Sequence, residues 1–306
     1  MQQNIKSIFE IIGKFLLSLV IMLGIAIVLL IPFVIANGLD ALTEVSAPTT
    51  LAGLIQMITQ PIAFLIAIWL MLLMFEKNRS WKLGFVDKRA GRNLIYGMLM
   101  GAALMSLGFL LIWLTGGLNP VRIVWNGNLV ESLVLWFVFF IFVSLNEETV
   151  ARGYLQGLFK ARIGFLAAII GSSIVFAALH LGNPGVFSSP IPLANLFLAG
   201  VLMALAREKT GSLWYPMGIH LTWNFFQGNL FGFAVSGKDT PTLIEIETHG
   251  PSWLTGGVFG AEGSLFGLLV LVGGIAYFVF LYRKRMSTAE QEGKKASIAS
   301  VNHPFN

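Results

Sequence analysis

Residues 129–152 read LVESLVLWFVFFIFVSLNEETVAR. An apolar run, broken by Glu131 and two serines, leads without proline or glycine into Glu147, Glu148 and Arg152. Downstream, Phe176-Ala177-Ala178-Leu179-His180 and His220-Leu221-Thr222-Trp223-Asn224 also lie in hydrophobic stretches. Ionisable groups are expensive inside a bilayer, so two carboxylates, an arginine and two imidazoles there need a reason. The simplest reason is that they meet in one polar site.

The membrane setting follows from composition. Hydrophobic residues make up 56% of the 306 and charged residues 11%, with a mean hydropathy of +0.79, far from the soluble balance. Runs at 15–36, 51–75, 94–114, 163–181, 212–234 and 265–282 approach or exceed the roughly 18 apolar residues of a membrane-crossing helix. Weaker runs at 129–145 and 191–206 bring the expected number to eight. The chain is therefore expected to be an all-α, polytopic integral membrane protein. Helices one to three occupy 1–128, and a core of helices four to seven with the polar motifs occupies 129–237. An external loop covers 238–263, an eighth helix 264–285 and a polar cytoplasmic tail 286–306.

Charge sets the expected orientation. Of the twenty Lys and Arg residues, only Arg122 and Lys238 fall on one side of an eight-span arrangement. The other eighteen, from Lys6 and Lys14 to Lys294 and Lys295, share the opposite side with both termini. That asymmetry makes both termini cytoplasmic. The net charge of +5 needs no nucleic acid, since acidic lipid headgroups beside the basic loops supply the counterpart. The first run is read as a span rather than a cleaved leader, being longer than a leader's usual 7–15 apolar residues and soon followed by the second. Zero cysteines exclude a disulfide framework, a thiolate nucleophile and thiolate zinc ligands. No internal repeat is evident, which weakens an inverted-repeat transporter.

Helical spacing sorts the polar residues. Glu148 and Arg152, four apart, share a face and should form an intrahelical ion pair, while Glu147 points about 100° away with no partner on its own helix. A carboxyl left unpaired in a low-dielectric setting suits proton transfer. His220 and Asn224 also share a face and offer two hydrogen-bond donors to one point, as an oxyanion needs. Together these features point to a hydrolytic site. Trp223, beside His220 and Asn224, leaves an interfacial anchor open as one reading.

The combination Glu-Glu-x-x-x-Arg, Phe-x-x-x-His and His-x-x-x-Asn on successive hydrophobic helices resembles the CPBP intramembrane proteases, which include the CAAX prenyl endopeptidases and bacterial Abi-type proteins. Arg152-Gly153-Tyr154-Leu155-Gln156 and Gly211-Ser212-Leu213-Trp214 add to the likeness, which covers roughly 129–237. The resemblance implies an intramembrane endopeptidase in which Glu147 and His180 activate a water and His220 and Asn224 stabilise the oxyanion. Glu148 and Arg152 give structural support. The implied substrate is a membrane-associated peptide or protein, lipidated if the CAAX label transfers, with CAAX-type C-terminal processing or bacteriocin and peptide maturation as its uses. Glu147, His180 and His220 could also serve as three ligands to a divalent metal such as zinc with an open fourth position. No His-Glu-x-x-His signature is present, and a glutamate base needs no metal, so metal-independent chemistry is favoured. A proton-coupled transporter and a non-catalytic immunity or scaffold protein are the alternatives.

Depth poses a difficulty. Glu147 lies about 27 Å along the fourth span from residue 129, and His180 a similar distance along a helix entering from the other side. Assembly requires the fourth helix to continue past Arg152, to tilt or to pack at a different depth. The absence of proline from 129 to 183 permits a continuous helix to about 159, which lessens the mismatch without removing it. The assembled pocket is expected to open toward the basic, cytoplasmic half, where the loops could steer a C-terminal carboxylate.

Overall fold

The apolar runs fold as helices in the order in which they are read. The computed structural model describes residues 2–39 and 51–301, with side chains through Arg283 at the C-terminal end. Residues 302–306 of the expected tail, and the side chains of Lys284, Arg285, Lys294 and Lys295, lie outside the described residues. Helices α1 (Gln2–Asn37), α2 (Leu51–Phe75) and α3 (Ala90–Leu114) come first, followed by the short strand β1 (Leu118–Ile123). Asn126 then caps α4 (Gly127–Glu148): its Oδ1 accepts the Leu129 amide at 2.8 Å, satisfying a donor with no partner in the first turn. With no proline to break it, the helical backbone continues through a π-helical stretch, Thr149–Leu155, into α5 (Gln156–Arg162). The chain reverses at Ile163 and Gly164. Gly164 has φ +127°, a conformation costly for any residue with a Cβ.

The return helix is α6 (Phe165–Leu179), followed by α7 (Pro190–Thr210) and α8 (Trp214–Phe225), which ends in a π-helical stretch, Phe226–Leu230. Strand β2 (Ile244–Thr248), the single turn α9 (Ser252–Thr255) and the long α10 (Leu265–Val301) complete the order. The stretch expected as a tail is thus helical to Val301. The fold is all-α except for one antiparallel pair among the described residues, in which β1, between α3 and α4, joins β2 of the stretch 238–263 expected as an external loop.

Among the described residues six helical segments, not eight, are long and apolar enough to cross a membrane: Gln2–Ala36, Met57–Phe75, Ala90–Leu114, Gly127–Arg162, Pro190–Thr210 and Leu265–Arg283. The run at 163–181 yields the 15-residue α6, and the run at 212–234 yields the 12-residue α8. Helix α8 is buried from Pro216 to Asn224, and a helix surrounded by protein need not match the bilayer thickness, whereas α6 keeps an exposed apolar stripe of Leu166, Ile170 and Ile174.

Of four apolar clusters among the described residues, two larger ones join most of the helices. Ile11, Phe15, Phe64, Ile68 and Met71 of α1 and α2 pack on Tyr154, Leu158 and Phe159 of the long fourth segment. On the other side Met105, Phe109, Leu202, Ile219, Trp223 and Phe278 join α3, α7, α8 and α10. Trp223, 7% exposed, is part of this core and not an interfacial anchor: α3 and α10 enclose the face that spacing alone left open. Helices α3 and α8 touch backbone to backbone, because a Cβ on Gly218 would lie 2.7 Å from the Met98 nitrogen. Small residues allow such approach where helices cross in lipid, and Thr222 Oγ1 then donates to the Met98 carbonyl at 2.8 Å.

The contacts sort the connecting segments into two ends. At one end Lys14 pairs with Glu76 at 2.5 Å, Arg162 with Glu10 and with Glu76, and Lys160 with Glu208. There Arg207 also donates to the Lys82 carbonyl, and the Trp214 indole to the Phe85 carbonyl. The β1–β2 pair, clasped by a bidentate Arg122–Glu245 bond at 2.7 and 2.9 Å, lies in the opposite set of segments.

Candidate functional site

The reversal at Ile163 and Gly164 removes the depth difficulty. Glu147 stands sixteen residues before Ile163 and His180 sixteen after Gly164. In an antiparallel helical hairpin, residues equidistant from the turn meet at the same height, here about 24 Å from it at ~1.5 Å per residue. The Glu147 carboxylate (Oε2) accordingly lies 3.7 Å from His180 Nε2 and 3.9 Å from His220 Nε2. Both distances exceed a direct hydrogen bond and fall within the span of one bridging water.

Glu148 faces the other way. Its Oε1 accepts from Arg152 at 3.2 Å, and both side chains have zero exposure. The same oxygen takes His220 Nδ1 at 3.0 Å, a link that helical spacing did not reveal because His220 belongs to a distant helix. Arg152 is further held by the Gly200 carbonyl at 3.2 Å and by the Phe176 ring, 4.3 Å from its guanidinium carbon, a cation–π contact. One buried cation therefore ties the long fourth segment to α6 and α7.

The bonding partners set the imidazole tautomers. His180 Nδ1 lies 2.8 Å from the Phe176 carbonyl oxygen, which can only accept, so Nδ1 carries the proton. In the neutral ring Nε2 is then a free acceptor facing Glu147. His220 Nδ1 likewise donates to the Glu148 carboxylate, so its Nε2 donates only when the ring holds both protons. Phe176 packs on both rings, with centroids 4.8 Å from His180 and 6.1 Å from His220.

All four residues expected to do chemistry, Glu147, His180, His220 and Asn224, line one cavity of about 640 Å³. Its walls come from α2 (Met57, Pro61, Phe64), α4 (Trp136, Phe140, Val143) and α7 (Leu196, Met203). Asn224 is 8% exposed. Among the described residues no group of three His, Cys, Asp or Glu side chains has the arrangement of a metal centre.

The polar rim differs from expectation. Asn183, Ser236, Lys238, Thr240 and Glu262 line the cavity, whereas the basic loops 76–92 and 207–211 do not. The cavity thus reaches the segments of the sheet end and not the basic end. The cause is the hairpin: Glu147 and His180 lie far from its turn, and that turn carries Arg162 to the basic end. Among the described Lys and Arg residues only Lys238 lines the cavity, so the expected steering by many cytoplasmic lysines has no counterpart among them.

Glu262 is a residue that sequence reasoning passed over. Its Oε1 accepts from the Ser236 amide at 2.5 Å and from the Ser236 hydroxyl at 2.6 Å. Burial raises its pKa above the ordinary glutamate value, against the lowering pull of Ser236, His180 and His220. The sequence offered one signal, a lone carboxylate in the glycine-rich Gly260-Ala261-Glu262-Gly263.

Residues 128–226 match the family described as Type II CAAX prenyl endopeptidase Rce1-like. This stretch runs from the start of α4 to the end of α8 and contains Glu147, Glu148, Arg152, His180, His220 and Asn224. A similar curated protein is the "Uncharacterized 24.3 kDa protein" of Escherichia coli, 32% identical over 105 residues. The alignment covers 33% of this chain and 46% of the relative, so the chain spans under half of that relative's length. No solved structure matches the chain.

Proposed function

We propose, from the match of residues 128–226 to the Rce1-like CAAX prenyl endopeptidase family and from the geometry of the cavity, an intramembrane endopeptidase that cleaves a membrane-associated peptide or protein. One observation carries the reading: Glu147 faces two imidazoles at one-water distance inside a cavity large enough for a peptide segment.

In this reading a water sits between Glu147 and His180 Nε2. Glu147 removes a proton as the oxygen attacks the scissile carbonyl. The new C–O bond forms as the carbonyl pair moves onto oxygen, and that oxyanion accepts from His220 Nε2–H and the Asn224 amide. Nδ1 of His220 is committed to Glu148, so His220 acts here as an imidazolium, and Glu147 and Glu148 together balance its charge and that of Arg152. Collapse of the tetrahedral intermediate breaks the C–N bond, and the proton held by Glu147 passes to the departing amine. No step is written through a metal.

With both termini in the cytoplasm, as the basic asymmetry argues, the cavity rim faces the outer side. Substrate then enters from the sheet end, which favours maturation of an exported peptide over processing of a lipidated cytoplasmic C-terminus. The test is cleavage of a membrane-anchored, internally quenched peptide by the purified protein in lipid nanodiscs. Wild type should cleave, and Glu147→Gln and His180→Ala should not. Cleavage that persists undiminished in Glu147→Gln would overturn the reading.

A further inference from the structure

We infer that Glu262 forms a substrate subsite that selects a basic side chain beside the scissile bond, an inference that rests on the endopeptidase reading. Its carboxyl lines the same cavity as Glu147. One oxygen is saturated by the amide and hydroxyl of Ser236. No protein cation lies within ion-pair distance of the other among the described residues, and Lys238, exposed at the rim, forms no ion pair with it. A carboxylate left this way in a poorly solvated cavity calls for a cation from outside the protein.

The surroundings hold this group in place from three directions. Ser236 has φ +49°, the one positive φ at a non-glycine among the described residues, and strain of this kind persists where neighbours over-determine a site. The Glu262 carbonyl accepts from Asn195 Nδ2 at 2.7 Å, which fixes the backbone on α7. Gly260, at φ +90°, leaves room for Gln227 Nε2, which a Cβ there would approach to 3.0 Å, and Gln227 in turn bonds the Ala234 carbonyl at 2.6 Å. A carboxylate so fixed is a preorganised contact for one part of a ligand. Gln60, Asn146, Asn183, Asn224 and Thr240 around the cavity are neutral, and its two histidines face Glu147. In the proposed reaction Glu147 is engaged by the attacking water, so Glu262 is the carboxylate on the cavity wall left for the substrate.

The test is a positional scan of the membrane-anchored peptide, placing Lys, Arg, norleucine, Gln or Glu in turn around the cleaved bond. Wild type should favour Lys or Arg at one position by roughly 10- to 100-fold in kcat/KM, mostly through KM. Glu262→Gln keeps an acceptor for Ser236 and should erase that preference while leaving kcat on the norleucine peptide within about twofold. Glu262→Lys should favour Glu at the same position. A wild type indifferent to charge at every position would overturn the proposal, and so would a Glu262→Gln enzyme that keeps the preference. To separate this from failure of the endopeptidase reading, binding of fluorescent Lys and norleucine peptides is measured in the Glu147→Gln background, where turnover is not needed. Tighter binding of the Lys peptide that disappears on adding Glu262→Gln upholds the subsite, and equal binding of the two peptides overturns it.

Discussion

At the scale of single residues, adjacent glutamates hold opposite positions. Glu147 is 27% exposed toward the cavity and Glu148 is fully buried against Arg152 and His220. Glu147→Gln preserves shape and removes a base, so it should lower kcat by at least roughly 10²–10⁴-fold with the melting temperature nearly unchanged. Glu148→Gln leaves Arg152 without its counter-charge in a place water does not reach. It should destabilise the fold by about 3–5 kcal/mol and also cost activity, because His220 loses the partner that orients it. Thermal unfolding in detergent beside peptide cleavage decides this; equal stability losses in the two variants would contradict the division. The sequence disclosed the Glu148–Arg152 pair because residues four apart on a helix must be neighbours. It could not disclose the Glu148–His220 bond, which joins positions 72 apart.

At the scale of elements, two local devices determine where the site sits. The first is the hairpin of the long fourth segment and α6. The second is the backbone contact of α3 with α8, which places His220 and Asn224. Gly218→Ala inserts a methyl group 2.7 Å from the Met98 nitrogen and should cost about 1–3 kcal/mol as the helices part. A thermal shift assay would register it, with activity falling in step as α8 moves. At the far end, the Glu245 carboxyl is held below its ordinary value, first by the hydrogen bond from Arg122. Its contribution to β1–β2 pairing is therefore present above the unfolded glutamate pKa and lost as pH falls through the lower folded value. Both side chains are well exposed to solvent, so the effect should be local. Hydrogen-exchange protection of the Val124 amide, bonded to the Leu243 carbonyl at 2.8 Å, should drop relative to the α3 amides on acidification below about pH 4. Unchanged relative protection there would remove the pair from the account of this end.

At the scale of the whole molecule, the basic residues and the cavity rim lie toward opposite ends. This arrangement makes membrane orientation a functional question. The chain has no cysteine, so single-cysteine labelling has no background. Asp239→Cys, beside the rim, should react with a membrane-impermeant maleimide added outside intact cells, whereas Lys77→Cys should react only after permeabilisation. The reverse pattern would put the rim in the cytoplasm and return a lipidated C-terminus to the set of substrates.

The membrane setting, the helical class, the separation of basic from non-basic segments and the roster Glu147, Glu148, Arg152, His180, His220 and Asn224 were all legible in the sequence. These depend on properties a linear pattern carries: hydropathy over about 18 residues, charge counts, and the 3.6-residue period that makes i and i+4 neighbours; the role expected of His180 came from the family resemblance. Tertiary structure alone decided the meeting of Glu147 with His180, the bond of His220 to Glu148, the burial of Trp223 and the place of Glu262 on the cavity wall. It also decided that α6 and α8 are too short to span and that the cavity reaches the sheet end. These depend on where the chain reverses and which helices pass close enough to touch, and they join residues too far apart in sequence for any local period to connect.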